Sequence, residues 1–234
     1  MRARRRQAHG LLVAKGTRDS AVVNEILELA ASRGCPVEWT DRRELERFNT
    51  KHQGMVLEAS AYPYTSLGDI ERHAEVRGEP ILLLALDHLE DPRNLGAILR
   101  TADAVGVHGV ILPKQRSASV TPVASDTSAG AAEHMLVTRV TNLARSLEQL
   151  KKDGVWVAGL ESAAASQPYR EVRLDGPLVV VVGSEGDGLG RLVSEKCDWL
   201  LSLPMKGRVE SLNASVAASI VMYWVLECRE RAGS

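Results

Sequence analysis

The feature that most constrains this chain is a set of short apolar runs in its C-terminal two-thirds. They read PILLLALD (80–87), GVILP (109–113), VWVAGLE (155–161), PLVVVVGSE (177–185) and WLLSLPM (199–205). Each is too short for a buried helix and shows no polar alternation. A strand that is apolar on both faces must be covered on both faces. Helix-like stretches separate the runs, so the pattern predicts a parallel sheet with helices on either side. The closing segment, NASVAASIVMYWVLECRER (213–231), predicts a long apolar helix with charge in its last turn.

The first 60 residues form a different pattern. LLVA (11–14), PVEWT (36–40) and GMVLEAS (54–60) read as strands. VVNEILELAASRG (22–34) reads as a helix capped by Asp19 or Ser20 and ended at Gly34, and DRRELERFN (41–49) as a shorter one. This predicts a small α/β domain over residues 1–60. Its first strand starts close to the beginning of the sequence, so an earlier element of the domain is expected to be missing. Residues 61–78 are polar and carry Pro63, Gly68 and Gly78. They read as a linker with a short helix, leaving residues 79–234 as the second domain.

Composition narrows the class. Hydrophobic residues are 44% and charged residues 25%, as in globular proteins. Aromatics are only 4%, too few for an extended base-stacking surface. Residues 1–78 hold 13 Lys+Arg against 11 Asp+Glu, and residues 79–234 hold 16 against 19. Arg2, Arg4, Arg5 and Arg6 form a basic arm that suits a polyanion, or a solvated terminus. Cys35, Cys197 and Cys228 give neither a disulfide framework nor a metal-binding spacing. A reducing, cytoplasmic setting without a membrane span is expected. The six histidines show no ligand spacing, so no metal is expected.

Three segments carry chemistry. In the first, residues 87–100, Asp91 is a natural N-cap and Pro92 a natural first helical residue. Leu95, Ile98, Leu99, Ala102 and Val105 make the buried stripe of the helix that follows. Arg100 lies off that stripe. It either pairs with Asp103 or uses the room left by Gly96 and Ala97 to reach another element. In the second, a strand runs into Gly183-Ser184-Glu185-Gly186-Asp187-Gly188. The order G-x-x-G-x-G is not that of a dinucleotide fold, Leu203 stands where an acidic ribose ligand belongs, and no Lys-Ser/Thr completes a nucleotide-triphosphate loop. Glu185 at a strand's carboxyl end is where open α/β sheets bind ligands. In the third, a strand at 200–203 leads through Lys206 and Arg208 to Ser211 and Asn213, either of which is suited to cap the last helix.

Together, NLGAILR (94–100), GSEGDGL (183–189) and LSLPM…SLNASVA (201–217) resemble the SpoU (TrmH-type) branch of the SPOUT RNA methyltransferases over residues 80–230. The resemblance implies an α/β domain whose parallel sheet ends in a C-terminal trefoil knot. It implies S-adenosyl-L-methionine (AdoMet) held at Gly183, Gly188, Leu203, Met205, Leu212 and Ser215. It implies a catalytic set of Asn94, Arg100, Glu185, Ser211 and Asn213, with Arg100 near the cofactor of the second subunit of a homodimer. The early LLVAKG and HQGMVL (52–57) resemble the RNA-binding domain of bacterial ribosomal-RNA members. The implied activity is ribose 2′-O-methylation of RNA, on a guanosine of 23S rRNA. A tRNA 2′-O-methyltransferase, a SPOUT-like RNA-binding protein without catalysis and a nucleotide-dependent Rossmann-type enzyme are the rival readings.

Overall fold

The computed structural model describes residues 2–50, 52–162, 166–184, 186 and 188–233. The chain divides into two compact units, Met1–Pro63 and Tyr64–Ser234.

The smaller unit contains β1 (Ala8–Ala14), α1 (Ala21–Ser32), β2 (Val37–Thr40), α2 (Arg42–Glu46) and β3 (Met55–Ala59). Its sheet has the order β2-β1-β3, with β1 parallel to β2 and antiparallel to β3. Leu11, Val13, Ala30 and Cys35 form its core. Of the two capping candidates, Ser20 is the N-cap of α1: its hydroxyl accepts from the Val23 amide at 3.3 Å.

The larger unit contains α3 (Leu67–Arg77), β4 (Leu82–Leu86), α4 (Pro92–Ala104), β5 (Gly109–Pro113), α5 (Pro122–Thr127), β6 (Val137–Val140) and α6 (Leu143–Lys152). It continues through β7 (Trp156–Leu160), β8 (Gln167–Pro168), β9 (Leu178–Val182), α7 (Arg191–Ser194), β10 (Trp199–Ser202) and α8 (Ala214–Ala232). All five apolar runs are strands. With β6 and β8 they build a seven-stranded sheet of order β6-β5-β4-β9-β7-β10-β8. Every pairing in it is parallel. All residues of β4 and β9, its central neighbours, are buried. Each such side chain contributes roughly 1.5–3 kcal/mol by leaving water. β6 was not among the apolar runs because it reads Val-Thr-Arg-Val, with two polar residues in its middle.

The 61–78 stretch, expected as a linker with a short helix, supplies α3 to this larger unit. Ser66 and Asp69 close a capping box at its start, and Gly78 ends it at φ 65°. Ile70 is fully buried among the residues of the sheet core. Among the described residues, no helix is long and apolar enough to cross a membrane.

Candidate active site

Parallel strands end on the same side, and their carboxyl ends are where the motif segments meet. β4 leads to α4. Asp91 caps this helix through the Arg93 amide at 2.8 Å, and Pro92 starts it. The Arg93 side chain also pairs with the exposed Asp91 carboxylate at 3.0 Å, and their hydrogen bonds hold the Asp91 carboxyl below the usual carboxylate range. The expected stripe Leu95, Ile98, Leu99, Ala102 and Val105 is buried.

Gly96 serves a purpose different from the one its sequence position suggested. A Cβ there would lie 2.5 Å from the Ala124 carbonyl oxygen and 2.7 Å from Thr127 Cβ, so α5 sits directly on this turn. The small residue makes room for a helix and not for a guanidinium. Arg100 is exposed, and among the described residues it has no side-chain hydrogen bond or ion pair, with Asp103 or otherwise.

β9 leads into the glycine turn. Ser184 and Gly188 form a two-way backbone bridge, at 3.1 Å and 3.3 Å. A Cβ on Gly183 would stand 2.1 Å from the Gly188 oxygen, which excludes any side chain at this position. Glu185 lies outside the described residues. A link absent from the sequence reading comes from Asp87, at the end of β4. This carboxylate is buried; Oδ2 accepts from the Gly190 amide at 2.8 Å, and Oδ1 lies 2.8 Å from His88 Nδ1. It ties the β4 end to the glycine turn. Its signal was its place as the first polar residue after a buried strand.

β10 leads through the loop to α8. Of the two capping candidates, Asn213 is the N-cap: Oδ1 accepts from the Ser215 and Val216 amides at 3.0 Å and 3.4 Å. This orients its Nδ2 outward, where it donates to Asn94 Oδ1 at 3.0 Å. The first and third segments are thereby joined. A second link, Thr101 Oγ1 to Ser219 Oγ at 2.9 Å, lies one residue beyond Arg100.

Two cavities flank this junction. One, of about 570 Å³, is walled by Leu160, Glu161, Gly183, Gly188, Leu203, Met205, Ser211 and Leu212 among others. The other, of about 630 Å³, is lined by residues including Asn94, His88 and Arg116. Ser184, Gly186 and Gly188 line both. The first cavity thus gathers five of the six positions expected at a cofactor. The sixth, Ser215, is absent from its wall; the hydroxyl is turned to Asn213 Oδ1 at 2.5 Å. Arg100 lines neither cavity. Glu161 was also missed by the sequence reading; its Oε2 accepts from Ser194 Oγ at 2.9 Å, which fixes the carboxylate at the cavity wall.

The larger unit matches the model of the SpoU rRNA Methylase family over residues 81–223. Residues 1–65 match a second model, described as RNA 2′-O ribose methyltransferase substrate binding. A Bacillus subtilis protein assigned to the TrmH family of tRNA/rRNA methyltransferases is 48% identical over 89% of this chain and 84% of its own. The AdoMet-bound rRNA methyltransferase from Sinorhizobium meliloti superposes with a TM-score of 0.78 at 24% identity, covering 97% of this chain and 81% of that one. The TrmH/SpoU tRNA modifying enzyme of A. aeolicus covers 71% of this chain and 85% of its own, with a TM-score of 0.61 and 29% identity.

Proposed function

The chain belongs to the SpoU rRNA Methylase family, and on that premise we propose that it methylates the ribose 2′-hydroxyl of RNA with AdoMet as methyl donor. The observation that carries this reading is the Asn94–Asn213 hydrogen bond. Asn94 lines one cavity, and Leu212 and Ala214, either side of Asn213, line the other. The bond therefore stands at the boundary between a site suited to a cofactor and a site suited to a nucleotide.

The residues present fit AdoMet. A cavity of about 570 Å³ is within the usual range for small-molecule sites. Leu203, Met205 and Leu212 offer apolar contact, the Gly183–Gly188 turn offers close backbone approach, and the Glu161 and Glu210 carboxylates suit hydroxyls and positive charge. When bound, AdoMet supplies an electrophilic methyl on a sulfonium. The protein then has to orient the ribose and help its hydroxyl lose a proton. Asn94, Ser211 and Asn213 orient the ribose, and Glu185, outside the described residues, belongs to the same proposed catalytic set. A guanidinium is a poor proton acceptor, so the role of Arg100 is to stabilise the developing alkoxide or grip the adjoining phosphate. Its exposure and its absence from both cavities of its own chain support action at the second subunit of a homodimer. The exposed Val216 and Tyr223 on α8 support the same assembly. The threading of the segment after β10 as a trefoil knot belongs to this reading too.

For the substrate, the reading is 23S rRNA, at a guanosine. The N-terminal unit supports it: the tRNA modifying enzyme reaches only 71% of this chain, and the rRNA methyltransferase 97%. The test is methyl transfer from labelled AdoMet to unmodified 23S rRNA and tRNA, followed by mapping of 2′-O-methylation. Label on an rRNA guanosine is expected. Transfer to tRNA alone overturns the substrate, label elsewhere than the 2′-oxygen overturns the reaction, and AdoMet binding without transfer to any RNA overturns the catalytic reading.

A further inference from the structure

The cavity of about 630 Å³ on the Asn94 side has a second wall with polar chemistry of its own. Five non-glycine residues among those described have positive φ, and two of them, His88 (φ 56°) and Arg116 (φ 50°), line this one cavity. Such backbone is costly for a residue with a side chain and persists where the surroundings impose it. The surroundings here are identifiable. His88 lies one residue beyond Asp87, which follows β4 directly and is anchored by the Gly190 amide at 2.8 Å. Arg116 follows β5, in a loop tied to the β4 loop by the Ala118 amide donating to the Leu89 carbonyl at 2.7 Å.

Both residues line the cavity. His88 has one close partner, the buried Asp87 carboxylate, 2.8 Å from its Nδ1. Nδ1 faces that carboxylate, so Nε2 is the ring nitrogen left for a ligand. Arg116 is exposed and has no ion pair among the described residues. The acidic residues on the same wall are Glu90 and Asp91, and Asp91 is already engaged with Arg93 at 3.0 Å.

We propose that His88 and Arg116 hold the RNA side of the site: Arg116 pairs with a backbone phosphate beside the target, and His88 Nε2 hydrogen-bonds the nucleotide whose ribose is modified. This rests on the methyltransferase reading and adds two substrate contacts to it. The shared wall of Ser184, Gly186 and Gly188 places that nucleotide next to the cofactor cavity. The guanidinium suits a phosphate because it can offer two parallel N–H donors.

The experiment uses the full chain with unmodified 23S rRNA and tRNA. Arg116→Ala and His88→Asn are compared with wild type for AdoMet affinity by calorimetry, KM for RNA, and RNA affinity against salt. Asn tolerates positive φ, so His88→Asn preserves the turn while shortening the reach. Each variant is expected to raise KM for RNA about tenfold with AdoMet affinity unchanged. Arg116→Ala is expected to flatten the slope of log affinity against log salt by about 0.7–0.9, the loss of one phosphate contact, and Arg116→Lys to restore it. Unchanged KM and salt slope in an active background overturn this assignment alone. A wild-type protein that methylates no RNA overturns it together with the proposed function.

Discussion

Asn213 Nδ2 donates to Asn94 Oδ1 at 3.0 Å, joining residues 119 positions apart. The same Asn213 side chain caps α8 through its oxygen, so its orientation is set by the helix and offered to the site. Asn213→Asp keeps the capping oxygen and removes the donor. Turnover is expected to fall at least tenfold while Tm changes little. Asn213→Ala should lose the cap as well, costing about 1 kcal/mol of stability in addition. Equal turnover in Asn213→Asp and wild type, measured by labelled methyl transfer, would remove the Asn94 contact from the mechanism.

At Arg100 the proposed catalytic role can be tested apart from stability. It is exposed and without a partner among the described residues. Arg100→Ala should therefore shift stability by no more than about 0.5 kcal/mol. Loss of a donor that stabilises charge in the transition state costs about 100-fold or more in turnover. We expect that loss with AdoMet affinity retained in calorimetry; undiminished turnover sinks the assignment.

Gly183 tests the turn. Its missing side chain is required by backbone, which cannot swing aside: a Cβ would meet the Gly188 oxygen at 2.1 Å. Gly183→Ala should destabilise by about 1–3 kcal/mol and weaken AdoMet binding. Gly176→Ala is the control, since a Cβ there meets nothing within 4 Å. Thermal melts that shift equally in the two variants would contradict the geometry.

His108 gives the fold a pH dependence. Its side chain is fully buried, and its Nδ1 accepts from the Leu82 amide at 3.0 Å. Burial is the main cause that pushes its pKa down, with the Arg77 guanidinium adding to it and Glu79 opposing. The unfolded histidine takes up its proton near pH ~6.5 and the folded one only at lower pH. Between those values the unfolded chain binds more protons, so stability is complete above about pH 6.5 and declines as the pH falls toward the folded value. Asn at this position can still accept from Leu82. His108→Asn should flatten the fall in Tm between about pH 7 and pH 5; parallel curves would show that another group is responsible.

By itself the sequence determined the kind of sheet, since runs apolar on both faces can be satisfied only by cover on both sides. It also determined the start of α4, because Asp91 and Pro92 act within one turn of themselves. Capping and periodicity are local, and local chemistry is legible along the chain. The motif resemblance assembled the expected site, and five of the positions it implies for a cofactor line one cavity. What only the tertiary structure decided depends on distant partners. The residue that caps α8 also reaches Asn94. Gly96 is small because α5 lies upon it. Ser215 turns from the cavity to the cap, and α3 belongs to the sheet because Ile70 enters its core. Asp87 and His88 gain their meaning from Gly190, 103 residues away from Asp87. None of these follows from spacing, because each is a contact between elements whose meeting is set by strand order and packing.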